Sequence, residues 1–154
     1  MILTKNVNDL FNGTIESVKL LLPFELTIDQ PSTLLEPLTQ HPFGVLIGMK
    51  GNISGKIIID ASEEIFQKIG ERMFGMILEG EMLESFAGEL GNMLAGSLST
   101  SISNHGFEID ITPPTILVKE SLVNRHKKAY QFPFYLHHVG SLYIIFMIDY
   151  LNKE

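Results

Sequence analysis

The sequence predicts an α+β fold in which long paired helices pack against a largely antiparallel sheet. Three observations carry that expectation. Residues 6–21 and 81–105 repeat apolar side chains at helical spacing. Residues 43–60 and 129–150 hold paired apolar runs, rich in β-branched and aromatic residues, split by turn chemistry. The order is helix, strand, strand pair, two helices, then three or four strands, which groups the helices against hairpins. The 154 residues suit one domain, 1–154.

Val7, Leu10, Phe11, Ile15, Val18 and Leu22 predict an amphipathic helix over 6–21, with Asn6 or Asn8 as its cap and Pro23 closing it. Phe24 to Ile28 reads as a short strand. Gln30 to Pro42, with Pro31, Pro37 and Pro42, reads as loop. Val45–Ile47 and Ile57–Ile59 form a strand pair around the turn Met49 to Asn52, and Gly55 marks a bulge. Asp60 to Glu63 has the pattern of a capping box, followed by Ile65, Phe66, Ile69 and Met73 at helical spacing and an end at Gly75. A link through Gly80 leads to the long helix Glu81 to His105, with Gly106 as its left-handed stop. Phe107 to Ile111 alternates as a half-buried strand. Pro113 and Pro114 break it, and Thr115 to Val118 resumes extended structure. Lys119, Arg125, His126, Lys127 and Lys128 form a basic cluster, read as a solvated hairpin tip. Ala129–His138 and Ser141–Tyr150 complete the sheet around Val139-Gly140, the last strand apolar on both faces and so central.

The long helix is the chemical centre of the chain. Leu83, Phe86, Ala87, Leu90, Leu94 and Leu98 fall on one side of it, the core face. Ser85, Glu89 and Asn92 stand nearly opposite, at i, i+4 and i+7. Around them are Gly88, Gly96 and Ser99 in place of the Lys, Glu and Gln of an ordinary solvated face. Each interior glycine costs a helix about 1 kcal/mol against alanine. Small residues flanking two polar side chains suit a surface that another backbone approaches closely. They suit equally a helix packed tightly inside its own domain.

Ser85-x3-Glu89-x2-Asn92, the run Gly88 to Met93, Ala95-Gly96, and Asp110-Ile-Thr-Pro-Pro-Thr115 about twenty residues later resemble the signature of the CheC, CheX and FliY phosphatases of bacterial chemotaxis. The string is similar to the one-site CheX pattern, because Glu-x-x-Asn occurs only once. That resemblance implies a pseudo-symmetric fold of paired helices over a sheet, and a homodimer joined through sheet edges. It implies hydrolysis of the aspartyl phosphate of a CheY-like response regulator, with Asn92 orienting water and Glu89 pairing with the regulator's lysine. Ser85, Gly88, Gly96 and Ser99 would meet the partner, and Pro113 and Pro114 would shape the sheet edge beside the helix. No cofactor would be bound by this chain, and Mg2+ is expected on the regulator. A non-catalytic regulator-binding module and a motor-switch-like structural domain are the rival readings.

Composition narrows the field. A net charge of −7 disfavours nucleic acid and anionic membranes as partners. There is no cysteine, so thiolate chemistry and Cys-based zinc sites are excluded. The longest strongly apolar run, 142–148, is too short to span a bilayer. The N-terminus lacks the apolar core of a signal peptide, so a cytoplasmic protein is expected. His41, His105, His126, His137 and His138 include no i, i+4 pair for zinc, and His137 and His138 are expected on opposite faces of a strand. Neither a P-loop nor a Gly-x-Ser-x-Gly nucleophile elbow is present. The chain carries no self-sufficient hydrolytic site, which agrees with a reaction whose charge is managed by the partner.

Overall fold

The computed structural model describes residues 5–34, 38–39, 43–117, 122–123 and 128–151. Helix α1 (Lys5–Leu21) is followed by strands β1 (Leu26–Ile28), β2 (Ser32–Leu34) and β3 (Leu38–Thr39), then the long hairpin β4 (Gly44–Gly51) and β5 (Ile53–Asp60). Helices α2 (Glu63–Phe74) and α3 (Gly80–Ser103) come next. After them lie β6 (Ile109–Ile111), β7 (Thr115–Leu117), β8 (Leu122–Val123) and a second long hairpin, β9 (Lys128–Leu136) and β10 (Gly140–Leu151).

The sheet runs β1-β9-β10-β5-β4-β6, with β2 also on β9 and β7 also on β4; β3 pairs with β8 apart from it. Every pairing is antiparallel. A pseudo-twofold follows from the list of partners. The order helix then five strands occurs twice, α1 to β5 and α3 to β10, with α2 inserted between. β1 and β2 lie on β9 as β6 and β7 lie on β4, and β5 meets β10 at the centre. The sequence shows no internal repeat because the two halves share pairing and period but not residues.

The main core lies between the helices and one sheet face, where Val45, Ile47, Ile59, Phe132, Phe134 and Phe146 are fully buried. The strand alternation sends Ile58, Ile145, Met147 and Ala129 to the other face, where they form a second buried cluster. β10 is apolar on both faces because it is central.

Several elements differ from the sequence expectation. β2 and β3 form inside 30–42, read as loop. Two- and three-residue strands carry no periodic signal and exist only through pairing with β9 and β8. α2 is capped by Ser62, whose Oγ accepts from the Ile65 N–H at 3.2 Å, while Asp60 ends β5 and is buried. Asn6 and Asn8 both lie within α1, Lys5–Leu21, and neither is its cap. The Gly55 irregularity appears across the ladder, where β10 shifts register between Ile148 and Tyr150. His137 and His138 sit in the β9–β10 turn, not in a strand. His138 has a φ of 66°, and His137 Nε2 lies 2.8 Å from Thr27 Oγ1. Gly106 does stop α3: its N–H donates to Ser103 O and that of Phe107 to Ile102 O, with Gly106 at φ 89°. Pro37, Pro42, Val118 and the basic cluster Lys119, Arg125, His126 and Lys127 lie outside the described residues.

Candidate active site

α3 is seated on the sheet through its small residues. A Cβ placed on Gly91 would come within 2.7 Å of Val45 Cγ1 on β4. Real carbons do not approach so closely, so only glycine lets the helix lie at this depth. Leu83, Phe86, Ala87, Leu90, Leu94 and Leu98 are buried, as their spacing predicts. On the α1 side, Gly13 admits Leu98 and Ile102, and Ser101 Oγ donates to Glu16 Oε2 at 2.8 Å.

The double proline controls the other flank. Met49 pairs with Ile111 and Leu46 with Thr115, so Ile47 and Gly48 face three residues, Thr112, Pro113 and Pro114. This is a bulge of one extra residue, at a place where neither proline can donate to the ladder. Thr112 repairs it. Its N–H donates to Gly48 O at 3.0 Å, and its Oγ1 accepts the Gly48 N–H at 2.8 Å. The bulge carries Pro114 toward α3, where Pro114 Cγ and Ile116 Cδ1 would lie 3.6 and 3.4 Å from a Cβ on Gly88. Pro114 and Ile116 thus pack against the residue that precedes Glu89, which fixes the rotation of the helix about its axis.

With its inner faces held in this way, α3 presents one open stripe. Ser85, Glu89 and Asn92 are exposed, and Gly96 has nothing within 4 Å of where a Cβ would be. Among the described residues no hydrogen-bond or ion-pair partner engages the side chain of Glu89 or Asn92. Being i and i+3, the two stand about 4.5 Å apart along the axis and project together. A carboxylate and an amide supply acceptors, and the amide adds two donors on the same rigid plane. Neither group supplies positive charge.

Two expected members of this face turn elsewhere. Gly88 is buried beneath Pro114 and Ile116, and half-buried Ser99 donates from Oγ to Ile109 O at 3.2 Å. For both, packing inside the domain is what the structure displays. Pro113 is exposed and Pro114 half-buried, both within the bulge between Ile111 and Thr115. Thr112 was not among the residues singled out from the sequence. Its signals are its place within the Asp110 to Thr115 string and before two residues without N–H groups.

The chain is similar to known proteins in sequence and in fold. The sequence model of the family described as chemotaxis phosphatase CheX matches residues 43–135. The CheY-P phosphatase CheX of Thermotoga maritima is 34% identical over 114 residues, 72% of this chain and 74% of that protein. The structure of a CheX–CheY–BeF3–Mg2+ complex from Borrelia burgdorferi superposes with a TM-score of 0.80 at 22% identity, covering 94% of this chain and 98% of that one. A CheC-like superfamily protein from Shewanella sp. PV-4 gives 0.78 at 24% identity, covering 96% and 99%.

Proposed function

This chain belongs to the CheX family of chemotaxis phosphatases, and from that premise we propose that it hydrolyses the aspartyl phosphate of a CheY-like response regulator as a single CheX-like domain. The observation that carries the reading is the pairing of Glu89 and Asn92. They stand one turn apart on the open stripe of a helix whose other sides are locked to the sheet and to α1.

The chemistry asked of the chain is small. An acyl phosphate is already high in energy, and the regulator's own Mg2+ and lysine manage the charge on the phosphoryl group. What remains is to hold a water in line with the P–O bond. Asn92 does this by accepting from the water and donating to the phosphoryl oxygens. It need not be a strong base, because a loose transition state demands little of the nucleophile. Glu89 pairs with the regulator's lysine and so sets the depth at which Asn92 enters the cleft. Ser85 and Gly96 line the approach. Gly88, Ser99, Pro113 and Pro114 act from behind, by holding the helix.

The homodimer belongs to the same proposal and rests on the family alone. Both sheet edges are split into three-residue strands, which manage an exposed edge without a second chain. Light scattering that finds a monomer at micromolar concentration removes it. A CheY-like substrate places the protein in the cytoplasm, and no described helix is long and apolar enough to cross a membrane.

The test is the decay of a phosphorylated CheY-like regulator from the same cell, with wild type or Asn92→Ala added and binding measured in parallel. Asn92→Ala should keep binding and lose on the order of 100-fold in acceleration, about 2.7 kcal/mol of barrier. Wild type that binds without accelerating decay makes the protein a binding module and ends the mechanism.

A further inference from the structure

Six large apolar side chains are exposed among the described residues, and four of them, Phe74, Met76, Ile77 and Met82, fall within nine consecutive positions. Met76 is 51% and Ile77 62% exposed. Scattered exposed apolar residues need no explanation, but a cluster does.

The segment that carries this cluster is anchored at both ends. α2 closes on Gly75, φ 75°, whose N–H donates to Glu71 O at 2.7 Å. Three residues later Leu78 is buried against Gly70, where a Cβ would meet its Cδ1 at 2.8 Å. Gln67 Nε2 donates to the Leu78 carbonyl at 3.3 Å. Phe74 meets Phe86 edge-on, ring centroids 5.6 Å apart. Met76 and Ile77 are therefore held outward between fixed points, on a link that could have carried polar residues at no cost to the core.

The cluster continues the open stripe of α3. Met82 precedes Ser85, Glu89 and Asn92 by three, seven and ten residues, so it shares their face about 10 Å along the axis from Glu89. A specific interface covers about 800 Å² on each partner, a patch roughly 30 Å across. A folded domain seated over Glu89 and Asn92 therefore reaches Met82. In the other direction the stripe offers Gly96, Thr100 and Ser103, none of them an apolar anchor. Charge adds a second constraint. Residues 73–118 contain no Lys or Arg, while Glu79, Glu81, Glu84 and Glu89 are exposed.

We propose that Phe74, Met76, Ile77 and Met82 form the docking platform on which the CheY-like receiver domain sits, through a surface beside its phosphorylation cleft that is apolar at the centre and basic at the rim. The inference rests on the reading of Glu89 and Asn92 given above. It divides labour along one helix: the platform sets affinity, and Asn92 sets turnover. It also explains how a stripe of serine, glutamate, asparagine and glycine could hold a partner, since buried apolar anchors and not small polar groups dominate interface energies.

The experiment compares full-length wild type, Ile77→Ser/Met82→Ser, Asn92→Ala and the off-face control Leu20→Ser. Each is titrated with the phosphorylated regulator and its Mg2+, and the oligomeric state is read by light scattering. The double variant should raise KM at least 10-fold and leave the rate at saturating regulator within about two-fold of wild type. Leu20→Ser should match wild type. Added salt should weaken wild-type binding, as an acidic surface facing a basic rim requires. An unchanged KM in the double variant, with Asn92→Ala still defective in rate, overturns the platform and leaves the phosphatase reading intact. A double variant that loses self-association but keeps regulator binding shows that a second copy of this chain occupies the patch, which also overturns it. Wild type that neither binds nor dephosphorylates any CheY-like regulator of the cell removes both.

Discussion

α1 and α3 occupy equivalent places in the two halves of the fold and differ most on the side that faces away from it. α1 presents Lys5, Asn8, Asn12, Glu16 and Lys19 to solvent, polar side chains of mixed charge. Lys5 reaches Asp9 at 3.7 Å, and Glu16 accepts from Ser101 of the neighbouring helix. α3 presents Ser85, Glu89, Asn92 and Gly96, without a cation. Both helices bury apolar residues against the same sheet, so core packing does not explain the contrast. A helix that only covers a core fills its outer face with solvated side chains of mixed charge. The outer face of α3 carries Glu81, Glu84 and Glu89 with no cation among them, and that acidic face is left for something else to complete.

The inner faces can be made to fail separately. At Gly91 a Cβ meets stiff, fully buried Val45 at 2.7 Å, whereas at Gly13 of α1 the nearest atom is Leu98 Cδ1 at 3.1 Å, the far end of a flexible side chain. Gly91→Val should cost about 3 kcal/mol, the upper end of overpacking, and lower Tm by on the order of 10 °C in a thermal melt. Gly13→Ala should stay within about 1 kcal/mol, because the helix propensity gained offsets the crowding. Equal losses at the two sites would mean that α3 is no more tightly seated than its counterpart.

The sheet edges repeat the contrast at the level of one hydrogen bond. Three residues, Asp29 to Pro31, face two on β9 between the pairs Ile28–Phe134 and Ser32–Gln131, as Thr112 to Pro114 face two on β4. Asp29 N–H donates to Pro133 O at 3.2 Å, just as Thr112 N–H donates to Gly48 O. Pro133 has no N–H to satisfy, but Gly48 does, and Thr112 Oγ1 takes it. Thr112→Val should leave that half-buried donor unpaired and cost about 1–2 kcal/mol in denaturant unfolding, with some loss of phosphatase rate through the helix that the bulge supports. Asp29→Ala should cost nothing of this kind. A rate loss without a stability loss in Thr112→Val would put the threonine in the chemistry and not behind it.

These pairs also mark what the sequence could reveal. The two long helices, both hairpins and the central place of β10 were legible because period and β-branching persist over many residues. The Ser85, Glu89, Asn92 stripe was legible because its spacing and the small residues around it are local properties. β2 and β3 were not, since strands of two or three residues are made by their partners. The two-fold was hidden for a related reason: Pro133 in one half does the work of Gly48 and Thr112 in the other, so equivalent geometry is reached with unlike residues. Helical angle puts Gly88 at the margin of the stripe and Gly96 near its middle, but does not say what covers either. What separates them is Pro114, twenty-six residues away in sequence and brought alongside by the bulge.

The sharpest test of the comparison is expected to change nothing. Lys19→Asn would place an asparagine three residues after exposed Glu16 and so install Glu-x2-Asn on α1. Made in the Asn92→Ala background, it asks whether spacing suffices. Glu16 is already engaged by Ser101 Oγ at 2.8 Å, and residues 5–20 offer Leu20 alone as an exposed large apolar side chain, with the remaining Lys5 of the sign that an acidic docking face lacks. An asparagine there has no neighbouring anchor to bring a receiver domain down on it and no free carboxylate to set its depth. The regulator should decay at the rate seen with Asn92→Ala alone, and α1 should keep its stability within about 0.5 kcal/mol, as for most exposed substitutions. Recovery of even a tenth of the wild-type acceleration would mean that any exposed Glu-x2-Asn serves, and that the surroundings of Glu89 and Asn92 contribute far less than their construction implies.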